Sequence, residues 1–422
     1  MAQLTASPRG TQDVLMGESH KWQYIEKKLS EVCERYGYRE IRVPTFEHTE
    51  LFTHGVGDTT DVVGKEMYTM LDKGGRSITL RPEGTAGVAR AFIQNGVLAG
   101  PLPVRAYYLL SCFRHEKPQA GRLREFHQLG IELFGCERPE ADSEVIRVAD
   151  TILRELGIRQ VRLEINSIGC PKCRESYRAA LKEYFSQYES QLCETCRERL
   201  ERNPLRLLDC KSPVCSKIAA GAPSMLDYLC AECADHFSQL KALLSEAGLK
   251  FEINPRIVRG LDYYTRTVFE FVHTASGAQG TVCGGGRYDG LAKLLGGADT
   301  PAVGFGLGLE RLLMVMEAEK AEIPPQSPCD LFIAYIGERG ETLARRLSRE
   351  LIGLGLSCLY DINGRSLKAQ SKLADKTGAR YMLVLGDDEV KSGSGRLKLM
   401  SEGSEREAPL ESEALAEILE EN

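Results

Sequence analysis

The feature that most constrains this chain is a pair of long β-patterned runs flanking a short basic loop. VRAYYLLSCFR (104–114) is rich in β-formers and REFHQLGIELFG (124–135) alternates, while HEKPQAGR (115–122) carries the Pro and Gly of a hairpin turn. A period of two puts His127, Leu129, Ile131 and Leu133 on one face of the second run. Arg124, Phe126, Gln128, Gly130, Glu132 and Phe134 fall on the other.

The rest of the chain must cover such a hairpin, and 422 residues exceed one hydrophobic core, so two or three domains are expected. Residues 18–36 space Trp22, Ile25, Leu29, Val32, Cys33 and Tyr36 as an amphipathic helix that Gly37 ends, and REIRVP (39–44) reads as a strand. A helix is expected from about Pro82 and Glu83, carrying Val88, Ala91 and Phe92. Residues 170–250 turn helical, charged and cysteine-rich and read as an insertion. TVFEFV (267–272) and GTVCGG (280–285) return to strand, and GFGLGLERLLMVME (304–317) leads into a helix. EIPPQSP (322–328) is a proline-marked linker. Beyond it strands and helices alternate, the order of a small α/β domain with a largely parallel sheet. The expected division is 1–325, with the 170–250 insertion, and 329–422.

Net charge is −6, which argues against holding nucleic acid by global attraction and leaves local basic patches open. No apolar run approaches the ~20 residues that span a bilayer, and MAQLTASPRGTQDVL lacks a basic start and apolar stretch. A cytoplasmic location and no membrane partner are therefore expected. Fourteen cysteines in a reducing compartment are thiols or metal ligands. Cys170/Cys173, Cys193/Cys196, Cys210/Cys215 and Cys230/Cys233 are four close pairs, and eight thiolates suffice for two tetrahedral zinc sites. Small buried cysteines are also common, so spacing leaves both readings open.

The hairpin carries chemistry as well as shape. Arg114, Arg122 and Arg124 offer planar donor forks suited to phosphate oxygens. Gln128 and Glu132 share a face beside apolar neighbours, where a carboxylate needs a partner.

FRHE, PQAGR and REFHQLGIE resemble motif 2 of class II aminoacyl-tRNA synthetases, and of the histidyl-tRNA synthetase family in particular. TLRPEGTAGVAR (79–90) looks like that family's histidine-binding loop, and RGLDYYTRTVFE (259–270) and GGGRYDGL (284–291) are similar to its two signatures. GFGLGLERL (304–312) resembles motif 3, and EIRVPTFEHTELF (40–52) resembles motif 1, where class II enzymes form their homodimer. The resemblance implies an α+β catalytic domain, an antiparallel sheet flanked by helices, and a C-terminal α/β domain of the anticodon-binding type. The implied activity is that of a histidine–tRNA ligase, which activates L-histidine with ATP and transfers it to tRNA(His).

Carried over by position, the resemblance implies ATP, with magnesium, bound by Arg114, Glu116, Arg122, Phe126 and Arg311. It implies histidine bound by Glu83, Gly84, Thr85, Gln128, Glu132, Arg259, Tyr263 and Tyr264, with Glu132 and Tyr264 satisfying the ring nitrogens. Tyr263, adjacent to Tyr264, is expected to point the other way and to pack. Arg259 and Arg114 are the implied catalytic cations, because histidine's carboxylate must approach an anionic phosphate. Taken alone, Arg259 reads equally as an ion pair with Asp262, and Arg311 as a surface helix residue. Gln119, near Lys117, resembles a tRNA acceptor-end contact. Lys368, Lys372 and Lys376, with Arg365 and Arg380, form a basic stripe that is either a solvated face or a tRNA contact. Two other readings are a regulatory relative of ATP phosphoribosyltransferase and a class II enzyme for another amino acid. Residues 329–422 with Arg114, Arg259 and Arg311 argue against the first. RGLDYY and GGGRYDGL argue against the second.

Overall fold

The computed structural model describes residues 5–57, 60, 62–208, 210, 212–257, 261–275, 280–325 and 329–420. The chain forms two units, Met1–Ile323 and Pro324–Asn422.

In the first unit, α1 (Met16–Arg35) buries Ile25, Leu29, Val32 and Cys33 and stops where Gly37 turns left-handed at φ +79°. The following strand β1 (Arg39–Glu40) is only two residues long, because the chain leaves the sheet before Pro44, which has no N–H to pair. A small sheet follows from β2 (Phe46–His48), then α2 (Thr49–Val56), β3 (Tyr68–Leu71) and β4 (Ser77–Leu80), with β4 central. Helix α3 (Thr85–Gln94) starts just after Pro82 and Glu83, since the Glu83 carboxylate accepts the N–H groups of Thr85 and Ala86 at 2.8 and 2.9 Å. The long hairpin is β5 (Val104–Phe113) and β6 (Glu125–Phe134), antiparallel from Val104 opposite Phe134 to Phe113 opposite Glu125.

After α4 (Pro139–Glu155) comes β7 (Val161–Ser167), a strand whose charged alternation hides it in sequence: Glu164 is buried and accepts from Asn254 at 2.6 Å. The insertion is helical, with α5 (Pro171–Ser186), α6 (Glu194–Arg202), α7 (Pro213–Ala219) and α8 (Ala231–Glu246). Then follow β8 (Phe251–Ile253), β9 (Thr265–His273), β10 (Thr281–Arg287), α9 (Leu291–Leu294), β11 (Ala302–Gly308) and α10 (Leu309–Ala318). The eight-stranded order is β1-β5-β6-β11-β10-β9-β7-β8, antiparallel throughout except for one parallel pair at each edge. One face packs against α1, α4 and α8 through Leu129, Ile131, Leu133, Phe269 and Phe305. The other packs partly on α3 and α9 and carries Tyr108, Gly130 and Glu132.

In the second unit, β12 (Leu331–Tyr335), α11 (Gly337–Gly353), β13 (Cys358–Tyr360), α12 (Leu367–Thr377) and β14 (Tyr381–Leu385) alternate as expected. After α13 (Asp387–Ser392), β15 (Ser394–Leu399) and β16 (Glu405–Pro409) add an antiparallel hairpin, closed by α14 (Ser412–Glu420). The sheet is therefore mixed rather than largely parallel: the polar SGRLKLMSEGSEREAP segment pairs at the sheet edge, where β16 is mostly exposed and shows no apolar run. No described helix is long and apolar enough to cross a membrane.

Candidate active site

The hairpin and the start of α10 enclose a cleft of about 330 Å³. Arg114, Glu116, Arg122, Phe126 and Arg311 all line it, and Gly284, Gly306 and Gly308 give it a floor bare of side chains. Arg114 donates from Nε to the Pro82 carbonyl at 2.8 Å and lies 5.2 Å from the Phe126 ring centre. Arg122 stands 3.5 Å from Glu116. Arg311 donates to the Thr281 carbonyl at 2.5 Å, and its pKa is lowered first by burial and then by the charge of Arg122. Two guanidinium groups that repel each other across a cleft are relieved by an anion between them. Glu310 fixes this corner: it accepts the backbone N–H of His127 at 2.9 Å and pairs with the His127 ring at 2.9 Å, so the residue before Arg311 is tied to β6. That hydrogen bond raises the His127 pKa.

Further along the same face of β6 the environment turns dry. Glu132 is 1% exposed and accepts from Thr85 Oγ1 at 2.7 Å and from the Tyr288 hydroxyl. Burial pushes its carboxyl well above the ordinary carboxylate range, and Glu83 nearby adds to the shift. Glu83 is itself buried and raised for the same first reason. Tyr263, Tyr264 and Tyr288 close the pocket, with ring centres 4.8 Å apart for Tyr263–Tyr264 and 5.5 Å for Tyr263–Tyr288. The two adjacent tyrosines do not point apart as expected, because residues 263 and 264 precede β9 and lack strand alternation. Gly84 and Gly130 are the positions where a Cβ would overlap the Tyr108 ring, which lies directly opposite Gly130. Gln128 is opposite Gly308, and a Cβ on Gly306 would press into its amide.

Known proteins resemble this chain over nearly its whole length. The family model described as histidyl-tRNA synthetase matches residues 10–312, and that for the anticodon binding domain matches 330–422. The histidine–tRNA ligase of Acetivibrio thermocellus is 54% identical, the match covering 97% of this chain and 98% of that one. That of Caldanaerobacter subterraneus subsp. tengcongensis is 52% identical over 96% and 97%. The crystal structure of apo histidyl-tRNA synthetase from S. aureus superposes with a TM-score of 0.83 at 37% identity, covering 98% of this chain and 99% of that one. The chain belongs to the histidyl-tRNA synthetase family.

Not every residue that the family resemblance singled out lies in this cleft or in the buried cluster around Glu132. Arg259 lies outside the described residues. Gln119 is exposed and lines an adjoining groove of about 690 Å³, shared with Trp22 of α1 and Met314 of α10 and bordering the cleft at Gly121, Leu123 and Glu310. In the second unit Lys368, Lys372 and Lys376 are exposed along α12. Arg365 and Arg380 leave the stripe: Arg365 pairs with the buried Asp361 at 2.7 Å, and Arg380, beyond the helix end, donates to the Leu419 carbonyl and lies over Tyr381.

The eight insertion cysteines assemble into two groups. Cys170, Cys173, Cys230 and Cys233 form one and Cys193, Cys196, Cys210 and Cys215 the other, with sulfurs within 4.8 Å of one another in each. Sulfur–sulfur separations are 3.6 Å for Cys170–Cys173, 4.0 Å for Cys170–Cys230 and 3.9 Å for Cys193–Cys210. A tetrahedron with metal–sulfur bonds of ~2.3 Å has edges of about 3.8 Å, whereas a disulfide needs about 2.05 Å. The N–H of Cys230 donates to Cys173 Sγ at 3.1 Å and that of Cys193 to Cys215 Sγ at 3.3 Å.

Three further site residues escaped the sequence reading: Tyr108, Tyr288 and Glu310. Tyr288 follows Arg287, which is wholly buried in an ion pair with Asp142, so one signature supplies both a structural cation and a pocket hydroxyl. Burial raises the Asp142 pKa and the Arg287 charge overrides it, leaving it at about 2. The signal for Tyr108 was available in Gly130, a glycine in mid-strand where a neighbour comes close.

Proposed function

We propose that the cleft binds ATP and that the dry pocket binds histidine, placing the two reactants end to end along one face of β6. The chain is a histidine–tRNA ligase: it joins histidine to ATP as histidyl-adenylate, releasing pyrophosphate, and passes histidine to the 3′ end of tRNA(His). In our reading adenine lies against Phe126 with Glu116 at its edge. Arg114 meets the α-phosphate, and Arg122 and Arg311 meet the outer phosphates, which arrive with magnesium. The imidazole N–H donates to Glu132 and the other ring nitrogen faces Tyr264, while Tyr263 packs beside it. Glu83, Gly84, Thr85 and Gln128 receive the α-amino group. The histidine carboxylate attacks the α-phosphorus in line, and Arg259 with Arg114 neutralises the charge gathered there. The observation that carries this reading is one strand face on which Phe126, at an arginine cleft, leads to Glu132, a carboxyl held dry.

Gln119 would meet the acceptor end of tRNA and Lys368, Lys372 and Lys376 its backbone. A homodimer is supported by the apolar side chains that β2 and β3 expose, Phe46, Met70 and Leu71. We place the enzyme in the cytoplasm. Each group of four cysteines suits one structural zinc ion, which supplies cross-linking and takes no part in the reaction.

Pyrophosphate exchange into ATP, run with each amino acid in turn, is expected to proceed with histidine alone. Exchange with a different amino acid, or none by folded protein, refutes the assignment. Arg259→Ala is expected to fold normally and to lose adenylate formation by at least ~10²-fold; near-normal turnover would remove Arg259 from the mechanism.

A further inference from the structure

The segment that delivers Tyr263 and Tyr264 has no regular structure of its own. Residues 261–264 belong to neither helix nor strand, so neighbouring elements must fix their backbone. One tether comes from the catalytic domain, where Asp262 N–H donates to the Val56 carbonyl at 3.1 Å. Others come from the insertion and from the two residues that lead into it. Arg174 reaches over from the first turn of α5 and donates from Nη1 to the Tyr264 carbonyl at 3.1 Å. Arg206, in the short turn Pro204–Leu207, stands 3.5 Å from Asp262 Oδ1. Arg266, held left-handed at φ +48°, exchanges backbone hydrogen bonds with Ile168 and Gly169 at 2.7 and 2.9 Å.

These tethers leave the insertion beside its cysteines. Gly169 precedes Cys170, Arg174 follows Cys173, and Arg206 lies four residues before Cys210. The apolar core between them is small, chiefly Tyr177, Leu181, Phe185, Leu200, Leu207 and Met225, with the cysteines filling the remainder. A helical segment with so small a core depends on cross-links to hold its shape. The two cysteine groups are also placed differently. Cys170/Cys173 with Cys230/Cys233 join the first turns of α5 and α8, where the insertion leaves and rejoins the sheet domain. Cys193/Cys196 with Cys210/Cys215 hold only its outer part.

We infer that the insertion is a zinc-ordered clamp on the histidine pocket, with Arg174 and Arg206 as positioning residues for 261–264. The inference rests on the ligase and zinc readings above. The clamp acts on the histidine side alone, because none of these tethers touches the arginine cleft. Arg174 is the stronger arm, since it holds the backbone of Tyr264 itself and is sited by the inner zinc group.

The test uses the full-length protein. Elemental analysis is expected to find two zinc ions per chain in the wild type and in Arg174→Met and Arg206→Met, which keep every cysteine. In pyrophosphate exchange, Arg174→Met is expected to raise KM for histidine on the order of 10- to 100-fold while KM for ATP stays unchanged. Arg206→Met does so to a smaller extent, and Arg174→Lys, which keeps a cation and a donor, regains most of the loss. Wild-type enzyme that exchanges with histidine yet holds no zinc overturns the proposal. So does Arg174→Met with two zinc ions and an unaltered KM for histidine. Failure of the ligase reading looks different, because the wild type itself then shows no histidine-dependent exchange.

Discussion

The arginine cleft and the Glu132 pocket share β6, yet they handle charge in opposite ways. In the cleft, Arg114, Arg122 and Arg311 keep contact with water or with backbone carbonyls, and Arg122 is openly exposed. In the pocket, Glu83 and Glu132 are almost wholly buried, and hydroxyls and N–H groups occupy their oxygens. A triphosphate brings its own strong charge, so a half-wet cation can wait for it at little folding cost. An imidazole is nearly neutral, and discriminating it requires a carboxyl that suffers when the wrong ring arrives. On the proposed reading, affinity for phosphate is displayed, whereas selectivity for histidine is stored as desolvation.

This contrast can be broken by substitution. The largest effect is expected for Arg114→Ala, with kcat/KM for adenylate formation falling on the order of 10²–10³-fold and stability changing by no more than about 0.5 kcal/mol. A large stability loss in thermal melts would mean that the cleft is not pre-displayed. Glu132→Gln is next, with roughly 10²-fold lost in kcat/KM for histidine. Its stability should move the other way. The folded-state pKa of Glu132 lies above the ordinary value, so the stability the protonated group contributes at low pH is lost as pH rises through that raised pKa. The variant does not titrate there. Melting curves across pH should therefore show it more stable than wild type at neutral pH, with the gain shrinking as pH falls into the ordinary carboxylate range. A gain that grew toward low pH would contradict the stored-desolvation account. The smallest effect belongs to Tyr288→Phe, which removes one donor from Glu132 and should raise KM for histidine roughly tenfold without changing that for ATP. An equal rise in both would show that the two regions are not separable.

Some of this plan could be read from residues alone. The period of two in 124–135 put Phe126, Gln128 and Glu132 on a common face, and the ten-residue antiparallel register bears that out. The cysteine spacings announced four pairs but not which pairs would meet: the outermost two enclose the inner two, a nesting that needs the helices in space. Tyr108 and Tyr288 stayed hidden because each reaches Glu132 from a different strand or its end, and no local pattern encodes such long-range meetings. The same limit explains Arg380, which continued the four-residue spacing of the α12 lysines, and Arg365, just ahead of them, which were claimed by the Leu419 carbonyl and by Asp361. The β15–β16 hairpin went unread for another reason: edge strands with a wet face need little apolar content.

The opening turn of α3 also has a thermodynamic meaning. Glu83 holds the first amides of that helix, and Thr85, its first residue, lends its hydroxyl to Glu132. Unwinding this end of the helix and dismantling the polar shell around Glu132 are thus a single event. On the proposed reading, an occupant of that pocket therefore holds α3 against fraying, by an amount that grows with its concentration relative to its Kd.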